Sequence, residues 1–324
     1  MLVVVLFSCK KENDISHIAR SESTDAASMM LIPIDQRTAT PKQTDSRIST
    51  STVGSSLQYA YVPRRNADRQ NKLFVFIPGT TAGPDDYKLI LQVGARAGYH
   101  TLGIAYSNTL PIEFYAVGAT TDDAVENILE EYLTGANTSS RVNIGLPNGF
   151  ENRIIKMLQY LNAQYPSEGW GQYINESGQL RWDKISASGH SQGSDHSMYM
   201  SRKRNLLRAG LFAGSGSFLL PNGSYPSFMQ GVGTTAPEKV FGFAHLRDDV
   251  RLWSGVRPTW ASLAIPGAPT SVDSSNYRGA NQLTTNISGT SSTHSSMVSD
   301  SVTPIQSNGV PLFANVWIYM CFPR

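Results

Sequence analysis

One serine in this chain lies in a sequence pattern suited to nucleophilic chemistry. Ser191 is at the centre of Gly189-His190-Ser191-Gln192-Gly193, which has the form Gly-x-Ser-x-Gly. A serine hydroxyl is a poor nucleophile at neutral pH, so it needs a base that takes its proton and an acid that orients the base. The pattern alone is weak, because at ordinary glycine and serine content it arises by chance in about one in ten chains of this length.

The elements predicted around Ser191 strengthen the pattern. Residues 184–188 predict a short strand, and the residues after the motif predict a helix to about Leu207. A tight turn from strand to helix lifts the serine off the sheet, and the two glycines allow the strand and the helix to approach each other closely. The motif therefore favours a nucleophilic serine. The alternative interpretation is a serine-rich loop with a fortuitous match.

Strands and helices alternate along the folded part of the chain. Apolar runs and loose alternation predict strands at 57–62, 73–77, 100–106, 184–188, 209–218, 239–244 and 282–287. Helical spacing of apolar residues predicts helices at 85–97, 121–133, 152–165 and 310–320, besides the helix after Ser191. This order is typical of an α/β fold with a mainly parallel central sheet and helices on both faces.

The first residues resemble the export signal of a lipidated protein. Met1 begins an apolar run of seven residues, which is too short to span a bilayer. Leu6-Phe7-Ser8-Cys9 resembles the lipobox of bacterial lipoproteins, in which the signal is cut before a cysteine that is then lipidated. The resemblance implies a signal segment at 1–8. It also implies a lipid anchor on Cys9 at the bacterial cell envelope, in the periplasm or on the outer-membrane surface.

Two features qualify the assignment of the N-terminal region. No Lys or Arg precedes the apolar run, which departs from the lipoprotein pattern, and the alternative is a buried strand that ends in an ordinary cysteine. The residues that follow are rich in Ser, Thr, Asp and Gln, with a single apolar patch at 29–34. Such a segment buries too little apolar surface to offset its ordering entropy. We therefore predict a flexible tether at 9–55 and a folded domain at 56–324.

From about residue 55 to 324 the chain resembles the α/β-hydrolase superfamily. Gly-His-Ser-Gln-Gly between a strand and a helix is similar to the nucleophile turn of its esterases and lipases. The resemblance implies an α/β-hydrolase fold, with a serine esterase or lipase-like activity. It also implies that the acid and then the histidine follow the nucleophile along the chain.

The family's chain order selects a base and two candidate acids. His294 is the only histidine after residue 245, and it lies in a polar loop just after the predicted last strand, where the family places its base. The acid is expected after the strand at 239–244, where Asp248 and Asp249 are adjacent. Many family members read Gly-x-x-Asp-x-Val here, and alignment on Val250 favours Asp248. His245 replaces the glycine of that pattern, so Asp249 remains the alternative.

The resemblance also implies two backbone N–H donors that hold a developing oxyanion. One is expected from Gln192, the residue after the nucleophile. The other is expected from the turn Pro78-Gly79-Thr80-Thr81, with Thr80 as the first choice and Thr81 as the alternative. The family's usual His-Gly is replaced here by Pro-Gly, and the alternative interpretation is a plain surface turn.

Composition limits the cofactors and partners that we expect. The formal net charge is only +2, and no dense Lys/Arg stripe with interleaved aromatics is present, so we expect no nucleic-acid partner. There is no CxxC or HExxH motif, and the proposed chemistry needs no metal or organic cofactor. The predicted substrate is a small-molecule or polymer-borne carboxylic ester. The oligomeric state is not predicted.

Two other functions fit the same residues. A non-catalytic binding protein can share a hydrolase fold, because fold does not determine function. An acyltransferase can use the same three residues with an alcohol or sugar acceptor.

The long segments at 107–150 and 219–238 are expected to build a lid and an acyl pocket. Some aromatic residues could line a cleft, or could equally belong to the core or to the ordinary surface. They are Tyr106, Phe114, Tyr115, Trp170, Trp253 and Trp260.

Overall fold

The computed structural model describes residues 26–49, 57–273 and 276–324. The expected signal segment at 1–8 and the expected lipidation site Cys9 lie outside the described residues. None of the helices in the described ranges has both the length and the apolar character needed to cross a membrane.

The strands of the described residues form one sheet of nine, in the order β1-β2-β4-β3-β5-β6-β7-β9-β8. Their bounds are Ile34–Ala39 (β1), Gln58–Pro63 (β2), Leu73–Ile77 (β3), His100–Gly103 (β4), Ile185–His190 (β5), Arg208–Phe212 (β6), Val240–His245 (β7), Thr270–Ser271 (β8) and Gln282–Thr285 (β9). β1 and β2 pair antiparallel, as do β2 and β4, and the other pairs are parallel.

Both faces of this sheet are buried. Along β3, Leu73, Val75 and Ile77 belong to one core cluster and Phe74 and Phe76 to the other, because successive side chains of a strand point to opposite faces. A strand covered on both sides has no polar face, which explains its continuous apolar run.

Helices cover the two faces of the sheet. Their bounds are Ala26–Met29 (α1), Pro41–Thr44 (α2), Lys88–Arg96 (α3), Ile112–Ala116 (α4), Ala124–Thr134 (α5), Phe150–Gln164 (α6), Gln192–Lys203 (α7), Trp253–Ser262 (α8) and Ala314–Cys321 (α9). Buried residues of α5, α6, α7 and α8 join the first cluster, and those of α1, α3 and α9 join the second. The predicted α/β class with a mainly parallel sheet between helices is confirmed.

The prediction of a flexible tether at 9–55 was wrong for the described residues 26–49. β1 pairs with β2 along its whole length, from Ile34 opposite Pro63 to Ala39 opposite Gln58. An edge strand is held mainly by backbone hydrogen bonds, so its polar composition did not reveal it. Arg37 adds an ion pair with the Glu168 carboxylate at 2.6 Å. The folded domain therefore begins before residue 56.

One strand near the site ends earlier than predicted. The strand predicted at 209–218 is Arg208–Phe212, since Ala213 and Gly214 both have positive φ, at 59° and 76°. Two left-handed residues in succession turn the chain out of the sheet, and the apolar pattern of the sequence does not register that turn. The helix Trp253–Ser262, which follows Asp248 and Asp249 along the chain, was not predicted.

Candidate active site

Ser191 occupies a strained turn between β5 and α7. Its φ of 54° and ψ of −118° lie outside the regions that L-residues normally adopt. Its backbone N–H donates to the Phe212 carbonyl at 3.0 Å, which ties the turn to the neighbouring strand β6. Strain of this kind persists only where the surroundings impose it, and it is concentrated at functional sites.

The two glycines of the motif allow a contact that no other residue would. A Cβ on Gly189 would lie 2.2 Å from the Gly193 carbonyl carbon, and a Cβ on Gly193 would lie 2.0 Å from the Ile77 carbonyl oxygen. Both distances are far inside van der Waals contact with backbone atoms that cannot move aside. The turn therefore needs glycine on both sides of the serine, as the sequence pattern predicts.

His294 and Asp248 form a buried hydrogen-bonded pair. The imidazole Nδ1 lies 2.8 Å from Asp248 Oδ2 and 3.0 Å from Oδ1. Because a carboxylate only accepts, Nδ1 carries the proton, and a neutral imidazole then has its lone pair on Nε2.

The Asp248 carboxylate is held in its ionised form. Burial opposes its ionisation, but the His294 hydrogen bonds and charge, together with backbone N–H bonds from Arg251 and Val250, hold the pKa below its usual range. Those backbone bonds to Oδ1 measure 2.8 and 2.9 Å. An ionised acid beside the imidazole stabilises the imidazolium that forms when the base takes a proton.

Asp249, the alternative acid, is not brought to His294. Its side chain is exposed and accepts a hydrogen bond from Thr293 Oγ1 at 3.2 Å. The structure therefore pairs only the first of the two adjacent carboxylates with the imidazole. Adjacent residues of an irregular segment point in different directions, so their order along the chain alone does not separate them.

The loop at 79–82, between β3 and α3, faces the serine turn. Thr80 Oγ1 donates to Gln192 Oε1 at 2.8 Å, which joins the two residues expected to supply oxyanion donors. The Gln192 N–H is the first of helix α7 and has no acceptor within the helix. Within the described part of the chain, the Thr80 N–H also has no hydrogen-bond partner. Both N–H groups are thus free to bind an anion.

The backbone N–H of Thr81, the alternative donor, is engaged in a hydrogen bond within the structure. This N–H donates to the Asn108 carbonyl at 2.9 Å, so it is not available to an oxyanion. Thr81 also has a φ of 63°, a costly conformation for a β-branched residue. The Asn108 side-chain amide donates to the Gly79 and Ala82 carbonyls at 2.5 and 2.8 Å. Asn108 therefore holds the loop in its strained form, and no sequence motif pointed to it.

An ion cluster around Arg251, whose side chain is 9% exposed, holds the segment after Asp248 against α7, the helix that follows Ser191. Arg251 binds Asp195 of α7 through two hydrogen bonds, at 2.6 and 2.7 Å, and Glu113 of α4 at 2.6 Å. Burial raises the pKa of Asp195, whereas the Arg251 charge acts to lower it. The two hydrogen bonds from the Arg251 guanidinium stabilise the ionised carboxylate. Since Arg251 is three residues after Asp248, the cluster fixes both segments together.

Ser191 and His294 open into one cavity of about 620 Å³, which we call the Ser191 cavity. Thr80, Glu113 and Arg251 are also among its lining residues. Pro111 and Glu113, from the long segment at 107–150, contribute to its wall, whereas the lining residues include none from 219–238. The first segment therefore contributes to the wall of the Ser191 cavity, and the second does not.

The six aromatic residues proposed for a cleft are not among the residues that line the Ser191 cavity. Trp170 and Trp260 are buried in the core, and Tyr106 is buried with its hydroxyl donating to the Pro78 carbonyl at 2.9 Å. Tyr87 is the aromatic residue in the cavity wall, and sequence reasoning did not identify it.

The sequence matches no protein-family model and has no significant match among curated proteins. Among the described residues, no group of three or more His, Cys, Asp or Glu side chains could hold a metal ion.

Proposed function

We propose that the protein is a serine hydrolase of the α/β-hydrolase type that cleaves carboxylic esters through an acyl-enzyme on Ser191. The observation that carries the proposal is the buried Asp248–His294 pair, because His294 lines the same cavity as a strained serine. The chain order of serine, acid and histidine supports the same conclusion. The free N–H groups of Thr80 and Gln192 add a site for negative charge.

The first half of the reaction is acylation of the serine. His294 Nε2 takes the proton of Ser191 Oγ as the oxygen attacks the ester carbonyl, and the Thr80 and Gln192 N–H groups stabilise the resulting oxyanion. When the tetrahedral intermediate collapses, the bond to the alcohol breaks and the alcohol leaves with the proton from His294. Asp248 stabilises the imidazolium throughout without taking the proton.

The second half of the reaction is release of the acid. A water molecule gives a proton to His294 Nε2 and attacks the acyl carbonyl, and the same two N–H groups hold the second oxyanion. Collapse breaks the bond to Ser191 Oγ, which recovers its proton from His294. The carboxylic acid leaves and the free enzyme is restored. An alcohol acceptor in place of water would make the protein an acyltransferase.

Labelling by a fluorophosphonate probe and hydrolysis of short- and medium-chain p-nitrophenyl esters test the proposal. Ser191→Ala removes the nucleophile, and Ser299→Ala changes another serine that lines the same cavity and serves as the matched control. We expect wild type and Ser299→Ala to be labelled and to turn over, and Ser191→Ala to do neither while staying folded.

Other results would change or overturn the assignment. Substantial turnover by Ser191→Ala would exclude Ser191 as the nucleophile. A folded wild type that neither labels nor turns over would favour a binding protein on this fold. Preferential acyl transfer to an added alcohol, measured by product analysis, would replace the hydrolase with an acyltransferase.

A further inference from the structure

His190, the residue before the nucleophile, lies between the segments that carry the two other parts of the site. Its ring Nε2 is 3.0 Å from the His294 carbonyl oxygen, and its Nδ1 is 2.9 Å from the Tyr87 hydroxyl. The Tyr87 hydroxyl is also 3.3 Å from the Gly79 N–H. Four residues from three separate segments are therefore joined in one row of hydrogen bonds.

The direction of each bond in this row follows from its partners. The His294 carbonyl only accepts, so His190 Nε2 donates and its Nδ1, in the neutral ring, must accept. Tyr87 then donates to Nδ1, and its oxygen accepts from the Gly79 N–H. Burial, with the His294 ring nearby, lowers the pKa of His190 to about 3, so the ring stays neutral at any ordinary working pH. A single tautomer, and hence a single pattern of bonds, is maintained.

The neighbours of Thr80 in the loop use their N–H groups in hydrogen bonds, whereas the Thr80 N–H, the proposed oxyanion donor, stays free. Gly79 gives its N–H to Tyr87, and Thr81 gives its N–H to Asn108. The loop also passes close to His190, because a Cβ added at Gly79 would lie 3.1 Å from His190 Nδ1 and 3.2 Å from the His190 carbonyl oxygen. The position of Thr80 relative to Ser191 is thereby set through His190.

We propose that His190 is a positioning residue that holds the backbone of the base His294 and, through Tyr87, the loop of the oxyanion donor Thr80 at a fixed distance from Ser191. The inference rests on the proposed function of Ser191. His294 is then held at two points, with its ring Nδ1 on Asp248 and its carbonyl on the residue next to the nucleophile. Neither contact involves the Nε2 lone pair that takes the proton.

Two conservative variants separate the ends of the row. In His190→Gln the amide nitrogen can take the position of the imidazole Nε2 and still donate to the His294 carbonyl, whereas no atom replaces Nδ1. In His190→Asn the amide oxygen can take the position of Nδ1 and accept from the Tyr87 hydroxyl, whereas the hydrogen bond to His294 is lost. Tyr87→Phe keeps the ring and removes the link to Gly79.

We expect kcat for p-nitrophenyl acetate to fall about 10²-fold in His190→Asn, the scale for a misplacement of roughly 1 Å in the catalytic geometry, with KM little changed. His190→Gln should recover most of the loss, and Tyr87→Phe should fall between the two. Amide hydrogen exchange of residues 292–299 should speed up in His190→Asn and stay near wild type in His190→Gln. A merely structural role would lower the melting temperature without this ordering.

Wild-type kcat and unchanged exchange in His190→Asn would overturn the inference, as would equal losses in all three variants that simply follow their melting temperatures. If the histidine variants do not fold, Tyr87→Phe decides: its kcat must fall while its circular dichroism spectrum matches wild type. A wild type that neither labels nor turns over removes the proposed function and with it the catalytic part of the inference. The exchange data still decide whether His190 holds the His294 segment.

Discussion

The two sides of Ser191 are held by different chemistry. On one side, His294 lies against the Asp248 carboxylate, and Arg251 fixes that segment by a buried ion cluster with Asp195. On the other side, the loop at 79–82 is held by neutral amide and carbonyl hydrogen bonds, chiefly from Asn108. Charged groups hold the first side, whereas the hydrogen bonds within the loop at 79–82 are made by neutral groups.

The difference matches what each side must do in the proposed reaction. His294 gains and loses a proton, so a permanent negative charge beside it lowers the cost of forming the imidazolium. The oxyanion donors must keep their direction and must not change charge, so rigid neutral hydrogen bonds suit them. Mutations should therefore act through electrostatics on the first side and through geometry on the second.

The largest effect is expected on the charged side, from Asp248→Asn. The amide keeps the shape of the carboxylate but removes its charge and can stabilise the wrong imidazole tautomer, so kcat should fall about 10⁴-fold. Asp249→Asn is the matched control and should stay within about twofold of wild type, because Asp249 is exposed and bonded to Thr293. Steady-state kinetics on p-nitrophenyl acetate measures both. Equal losses in the two variants would contradict the pairing of Asp248 with His294.

A smaller effect is expected on the neutral side, from Asn108→Ala. Loss of the amide releases the Gly79 and Ala82 carbonyls and lets the strained loop relax, so kcat should fall about 10²-fold, toward the lower end of what loss of one oxyanion donor costs. The pH profile should keep its shape, since no charge has changed. Asn127→Ala on α5 removes an amide whose solvent-exposed hydrogen bond goes to Asp123, just before the helix, and it serves as the control. A shifted pH profile in Asn108→Ala would show that the two sides are not separable.

The smallest effect is expected from His196, which belongs to neither side. Its ring is buried among aromatic rings of Tyr106, Tyr132 and Phe150, and burial lowers its pKa to about 3. The unfolded histidine binds a proton below pH 6.5 and the folded one does not until about pH 3. This contribution to stability is therefore present above pH 6.5 and is lost as the pH falls toward 3.

His196→Phe cannot take up that proton. As the pH falls below 6.5, wild type should lose stability relative to this variant. The difference in their unfolding free energies should change by up to about 1.4 kcal/mol per pH unit, in favour of the variant. Urea unfolding at pH 7, 6 and 5 measures the change, and ester turnover at pH 7 should be nearly unaffected. A gap that does not change with pH would show that His196 takes up its proton over the same pH range in the folded and in the unfolded protein.

The sequence predicted the parts of this molecule that depend on short-range pattern. The short strand at 184–188, the helix after the motif and the two glycines that flank Ser191 were all predicted from local sequence, so the turn could be recognised before any contact was known. Strand β1 was missed because an edge strand is held by backbone bonds to β2 rather than by an apolar pattern. The end of β6 was missed because the apolar pattern continues through Ala213 and Gly214, where the backbone turns left-handed.

By itself the sequence determined the α/β alternation, the Gly-x-Ser-x-Gly turn and the short set of partners that the chain order allows. Only the tertiary structure showed that Asp248 and not Asp249 bonds the His294 ring. It also showed that the Thr81 N–H is engaged, whereas the Thr80 N–H has no partner among the described residues. It also brought Asn108, Tyr87 and His190 into one network around Ser191. The physical reason is that hydrogen-bond direction and burial depend on residues far apart in the chain, such as His190 and His294. Such residues come into contact only when the whole sheet has packed.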